Sequence, residues 1–71
     1  MSIKDEFKKE PMRRILKTYS DNCIVTADAV DMFRDAMAEY AKELSKDAYS
    51  ICKHAGRKTI KREDIEFALE Y

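Results

Sequence analysis

The sequence predicts an all-α protein with one folded domain. Its 71 residues include one glycine and one proline, so little in the chain interrupts a helix. Apolar residues also recur at three- and four-residue steps in three stretches, which is the spacing of a helix face. A third observation is the size of the chain. A single core of this length is marginally stable alone, so we expect a supplement such as a partner chain.

The first helix is expected to begin near Pro11, because proline suits the first turn of a helix. It spans about ten residues, and four apolar side chains recur along it at helical spacing. These are Met12, Ile15, Leu16 and Tyr19. Residues 1–10 form a charged extension in which Ile3 and Phe7 could pack as a helical turn, and residues 11–71 form the domain.

A long central helix is predicted from Ala27 to about Ala55. Thr26 is placed to cap it, after a loop at residues 20–26 with a short extended piece. About 28 residues at 1.5 Å each give a helix roughly 42 Å long, too long for two short helices to cover. The apolar stripe therefore needs another chain. The stripe comprises Val30, Phe33, Met37, Tyr40, Ala41, Leu44, Ala48, Ile51, Cys52 and Ala55.

Gly56 is expected to end the long helix in the left-handed conformation. Residues 57–61 then indicate a brief extended piece, and Glu63 with Asp64 favour the start of a third helix. Its apolar face carries Ile65, Ala68 and Leu69.

Charge is segregated along the chain although the net charge is zero. Residues 11–19 carry three basic and no acidic side chains, and residues 48–62 carry five and none. Residues 20–47 hold seven acids against three bases. A basic loop beside helix ends suits phosphate oxygens, but a solvated basic loop without a ligand fits the pattern equally.

Residues 54–69, HAGRKTIKREDIEFAL, closely resemble the end of the long helix, the second loop and the third helix of archaeal histones. The resemblance is dense over residues 51–69 and looser over residues 11–50. It implies a histone fold in a handshake dimer, where two long helices cross and the loops of the two chains meet in pairs.

The resemblance also implies roles for single residues. Arg57 matches an arginine that pairs with an aspartate at Asp64 and braces the loop. The implied DNA contacts are Arg14, Lys17, Lys58 and Thr59, with Arg13 and Lys61 as additional cations. Ile51, His54, Asp64 and Phe67 match a contact between dimers. His54 could instead be simply a cation at the end of a helix.

This chain departs from the family in its first loop, which is one residue longer. Ile24 stands where an arginine usually reaches the minor groove. Losing that arginine removes a contact used in wrapping DNA, so weaker or differently arranged binding is expected.

Other chemistry is poorly supported by the sequence. Cys23, Cys52 and His54 lack the number and spacing of zinc ligands, so no metal or cofactor is expected, and Cys52 suits a small core position. No nucleophile accompanies the paired acids, which argues against an enzyme. Neither a leader nor a membrane span is evident, so a cytoplasmic protein on the chromosome with reduced thiols is expected.

The sequence therefore favours an architectural DNA-binding protein that contacts the backbone of double-stranded DNA with little sequence specificity and compacts or bends it. Its expected partners are DNA and a second copy of itself, with a tetramer or larger assembly possible. The alternative is a histone-fold interaction subunit that pairs with a different chain and has a minor DNA role.

Overall fold

One helix, α2, spans Ala27–His54 and accounts for most of the helical structure. The computed structural model describes residues 2–70, which contain helices and no strand. A 3-10 turn at Ile3–Glu6 and helix α1 at Lys9–Thr18 precede α2, and helix α3 at Arg62–Glu70 follows it. The predicted all-α fold with a short, a long and a short helix is confirmed.

Helix α2 begins where its capping residue was expected. The Thr26 hydroxyl accepts a hydrogen bond from the Ala29 amide at 3.3 Å, and the Thr26 carbonyl accepts one from the Val30 amide at 3.1 Å. The same hydroxyl donates to the Asp28 carboxylate, which lowers the pKa of that group. The helix therefore starts with a side-chain cap and a carboxylate in its first turn, where the helix dipole favours negative charge.

The buried face of α2 follows helical spacing. Val30, Ala38, Ala48 and Cys52 are its buried residues. Three of these belong to the predicted stripe, whereas Ala38 does not. Tyr40, which the stripe includes, is exposed, as is Ala55, which lies beyond the end of the helix. Periodicity identifies the correct side of the helix, but a small alanine fits closer to its neighbours than a large tyrosine with a polar end.

Helix α1 begins two residues earlier than Pro11. The proline is thus the third helical residue, a first-turn position at which its missing amide hydrogen costs no helix hydrogen bond. Met12 is buried, but Ile15 and Tyr19 are exposed. The predicted boundary between extension and domain falls inside α1.

The segment before α1 is fixed to α2 by two basic side chains. Arg34 donates from Nε to the Phe7 carbonyl and from Nη2 to the Lys4 carbonyl, at the end of the 3-10 turn. Lys4 in turn places its Nζ 2.9 Å from carboxylate oxygens of both Asp31 and Asp35. The expected helical turn near the N-terminus is present, and it is bound to the first turns of α2.

Two compact units divide the chain after Glu39, within α2. Each unit leaves large apolar side chains in water. In the first these are Ile3, Ile15, Tyr19, Ile24 and Met32, and in the second Tyr40, Tyr49, Ile60, Phe67 and Leu69. Exposure of this extent is typical of a chain that pairs with another one.

Candidate nucleic-acid interface

The loop between α2 and α3, residues 55–61, is called loop 2. It starts with a helix end in which the Gly56 amide donates to the Lys53 carbonyl at 2.9 Å and the Arg57 amide donates to the Cys52 carbonyl at 3.1 Å. Gly56 has a φ of 72°, a conformation that side chains with a Cβ disfavour. This pair of bonds is the Schellman arrangement, and it turns the chain sharply out of the helix.

Arg57 and Asp64, which the family resemblance pairs, are in contact. Arg57 donates from Nη1 and Nη2 to the two carboxylate oxygens of Asp64, at 2.9 and 2.7 Å. The Lys61 amide donates a third bond to the same carboxylate at 2.8 Å. Asp64 is the third residue of α3 and Lys61 precedes the helix, so the carboxylate caps α3 while it binds the loop.

The electrostatics of this pair favour the charged forms of both groups. Asp64 is 1% exposed, and hydrogen bonds first from Arg57 and then from the Lys61 amide hold its pKa at about 2, below the ordinary 3.8. The same contact raises the pKa of Arg57. A buried carboxylate with three donors is well satisfied, whereas one that lost Arg57 would be left with an uncompensated charge.

Cys52 is a further contact in loop 2 that sequence reasoning assigned to the core alone. The residue is buried, and its Sγ also lies 3.3 Å from the carbonyl oxygens of both Arg57 and Thr59. A thiol is a weak donor and can serve one of these carbonyls at a time. Helical periodicity shows that Cys52 faces inward, but it carries no information about a loop that folds back over the thiol.

Lys58 lies between the two carbonyls that contact Cys52. Its side chain is exposed, as are those of Thr59 and Lys61. The Thr59 carbonyl also accepts a bond from Arg57 Nη1 at 2.8 Å. Loop 2 therefore uses one arginine internally and presents two lysines and a hydroxyl to water on a backbone that is bonded on both sides of Lys58.

The first basic cluster lies on α1 in the other unit. Arg14 and Lys17 are exposed there. Arg13 is predicted as an additional DNA-contacting cation, but its Nη1 donates to the Val25 carbonyl at 3.0 Å, and its Nε lies 3.8 Å from Glu10. Arg13 thus holds the loop that follows α1, because it lies on the side of the helix that faces this loop.

That loop, residues 19–26, is called loop 1. The Lys17 carbonyl accepts hydrogen bonds from the amides of Ser20 and Asn22, at 3.4 and 3.0 Å. Asp21 and Asn22 both adopt positive φ values, 56° and 59°, which aspartate and asparagine tolerate better than most residues. Loop 1 therefore folds back against the end of α1.

The residues predicted to lie between dimers have different environments within this chain. Ile51 is partly buried, and His54 and Phe67 are exposed. The His54 ring Nδ1 lies 3.2 Å from the Ser50 carbonyl in the last turn of α2. Asp64 already serves loop 2, so its contact with His54 of another dimer stays a prediction.

Arg34 is the other functional side chain that the sequence did not indicate. Its partners are carbonyls about 30 residues earlier in the chain. Only its place among the acids of α2 sets it apart in the sequence.

Two general features were searched over residues 2–70. No helix there is both long and apolar enough to cross a membrane. The same residues contain no group of three or more histidine, cysteine, aspartate or glutamate side chains that could hold a metal ion.

Comparison with known proteins identifies the family. The model of the family described as histone-like transcription factor (CBF/NF-Y) and archaeal histone matches residues 5–69. The chain belongs to this family. Its short, long and short helices form the histone fold.

Two curated relatives are similar to this member of the archaeal histone family. One, an archaeal histone subunit named HAN1 from Thermococcus zilligii, is 41% identical over 46 residues, which cover 65% of this chain and 69% of the relative. Probable archaeal histone 3 of Methanocaldococcus jannaschii is 38% identical over 64 residues, or 90% of this chain and 94% of the relative. No solved structure gives a significant match.

Proposed function

We propose that this histone-fold protein is an architectural DNA-binding protein. Two copies form a handshake dimer that contacts the backbone of double-stranded DNA with little sequence specificity and compacts or bends it. The proposed location is the chromosome, in the cytoplasm. The proposal involves no catalysed reaction.

Lys58 carries this proposal. Its charge is available because Arg57 is occupied by Asp64, and its position is defined because the carbonyls on either side of it lie against Cys52. A cation on a fixed backbone beside the exposed Thr59 suits a phosphate group, which can accept bonds from both. Lys61 adds charge to the same loop, and Arg14 with Lys17 forms the proposed contact of α1.

The names of the two relatives support the proposal, since both are called archaeal histones. The exposed apolar side chains of both units support the second copy, because a lone chain of this size would leave them in water. We propose further that Ile51, His54, Asp64 and Phe67 contribute to a contact between dimers.

A salt series tests the role of Lys58. Binding to two unrelated duplexes is measured between about 50 and 200 mM salt, and the slope of log K against log salt reports the number of phosphate contacts. Lys58→Ala removes two cations from a dimer, so we expect the slope to become shallower by about 2 on both duplexes.

The matched control is Lys46→Ala, which removes an exposed lysine from α2, where acids predominate. It is expected to leave the slope almost unchanged. If wild-type protein shows no affinity at low salt, or if the two variants behave alike, the proposed contact is wrong.

A second candidate function is that of a subunit that pairs with a different histone-fold chain. The zero net charge favours this reading, as does the name of one relative, which calls that protein a subunit. Sedimentation of the purified chain separates the two. A stable homodimer supports the first proposal, and a monomer that folds only on adding another chain supports the second.

A further inference from the structure

Ile24, in loop 1, is the most exposed large apolar side chain that the structure describes. It is 96% exposed, and the neighbouring Tyr19 is 86% exposed. Apolar side chains that lie singly on a surface are common. Ile24 differs from such residues in how its backbone is held and in the charges that surround it.

The backbone after Ile24 is fixed at two consecutive residues. The carbonyl of Val25 accepts the hydrogen bond from Arg13, and Thr26 caps α2 through its hydroxyl. Both bonds are made to secondary structure and not to other parts of the loop. The Ile24 side chain therefore projects from a braced backbone, although it has no protein neighbour that buries it.

Exposed cations lie beside this side chain. The Asn22 amide is bonded to the Lys17 carbonyl, which brings loop 1 back to the end of α1. Ile24 and Leu16 line one groove, and Leu16 lies directly before Lys17 in the helix. Arg14 is exposed on the same helix, and Asp21 is the one acid of loop 1.

An aliphatic side chain beside exposed cations matches a ligand that is anionic outside and apolar inside. Double-stranded DNA has this character, because its phosphates flank stacked bases. Architectural proteins that enter the minor groove insert isoleucine, leucine, methionine or phenylalanine between base steps and kink the duplex. A purely apolar protein surface would leave Arg14 and Lys17 without counter-charges.

We propose that Ile24 is a wedge that enters the minor groove and partly unstacks one base step, while Arg14 and Lys17 bind the adjacent phosphates. This inference rests on the proposed DNA-binding function and adds the way in which the duplex is deformed. Pyrimidine–purine steps such as TA and CA unstack most easily. The wedge therefore gives a preference for flexible steps without any hydrogen bond to a base edge.

The test uses the whole chain and a short duplex with donor and acceptor dyes at its ends and 2-aminopurine next to a central TA step. Wild-type protein is expected to shorten the end-to-end distance and to increase 2-aminopurine fluorescence. Ile24→Ala and Ile24→Gln should reduce the bend by roughly 20° or more and abolish the fluorescence increase. Ile24→Leu, which keeps an aliphatic side chain, should retain both signals.

Met32→Ala is the matched control, since Met32 is an apolar side chain of α2 that is 75% exposed. It should change neither signal. Binding affinity, its salt dependence and the unfolding temperature are measured for every variant. They are expected to change little in Ile24→Ala, since truncating an exposed side chain leaves the fold and the cations in place.

The outcomes separate this inference from the proposed function. If no variant binds DNA and the wild type does not either, the proposed function fails. If Ile24→Ala binds with an unchanged bend and unchanged fluorescence, the wedge alone is wrong. If Ile24→Ala instead dissociates the dimer in sedimentation, the side chain belongs to a protein contact, and the wedge is again overturned.

Discussion

Loop 2 is held by a buried charge, whereas loop 1 is held through a neutral backbone carbonyl. In loop 2 a buried carboxylate, Asp64, receives two bonds from Arg57 and one from a backbone amide. In loop 1 the corresponding brace is one bond from Arg13 to a carbonyl, and the Ser20 hydroxyl is buried without a hydrogen-bond partner among the described residues. The same task, fixing a loop beside α2, is thus achieved with and without a buried charge.

This difference teaches where charge is available for a ligand. Loop 2 uses its first arginine internally, and the lysines that follow it remain in solvent. In α1 the first of two adjacent arginines serves loop 1, and the second remains in solvent. Counting basic residues in either cluster therefore overestimates the charge that DNA could meet.

Removing the buried charge should have the largest effect on stability. Asp64→Asn leaves Arg57 without its counter-charge and weakens the cap of α3, so we expect the unfolding temperature to fall by roughly 10 °C. Thermal unfolding followed by circular dichroism, at one fixed protomer concentration, measures this. Glu66→Gln, which breaks an exposed pair with Arg62, is the control and should change the temperature by much less.

The effect of Asp64→Asn should also depend on pH. The pKa of Asp64 is about 2 in the folded protein against an ordinary 3.8, so its stabilising contribution is complete above about pH 5 and is lost as pH falls through 2. The difference in unfolding temperature between wild type and variant should therefore shrink between pH 5 and pH 2. A difference that stays constant over this range would show that Asp64 does not act through its charge.

The brace of loop 1 should matter less. Arg13→Ala removes one partly buried hydrogen bond from a charged donor, with an expected loss of about 1.5 kcal/mol in the free energy of unfolding. Urea unfolding at fixed protomer concentration gives this value. The adjacent Arg14→Ala is the control and should change stability by less than about 0.5 kcal/mol. Equal losses from both variants would contradict the assigned contact.

The smallest expected effects concern the backbone of each loop. Gly56 has open space where the methyl group of an alanine would lie, so Gly56→Ala should cost about 1 kcal/mol through the backbone conformation alone. In loop 1 the residue with positive φ is already asparagine, and Asn22→Gly should change the free energy of unfolding by less than about 0.5 kcal/mol. Urea unfolding of the two variants tests this ranking, and a larger effect at Asn22 would reverse it.

Much of the fold could be predicted from the sequence because its signals are local. Thr26 and Gly56 mark the ends of α2 through capping chemistry, and the apolar periodicity defines its inner face. The pairing of Arg57 with Asp64 came from the family resemblance, and the two side chains are in contact in the structure.

The contacts that the sequence did not indicate join residues with no regular spacing. Arg13 and Arg14 are identical in type and adjacent, so composition cannot show which one faces loop 1. The Cys52 thiol was expected to be buried, but its contacts depend on how loop 2 folds back over α2. These arrangements are determined by tertiary structure, which periodicity does not describe.

The 3-10 turn at Ile3–Glu6 has a consequence for any shortened form of this protein. A truncation that starts at Pro11 would remove Lys4 from Asp31 and Asp35 and would deprive Arg34 of both carbonyl partners. The shortened chain would keep every residue assigned to DNA contact, yet two carboxylates on α2 would have lost the lysine that neutralises them. The N-terminal residues therefore act as a built-in counterion for the acidic helix.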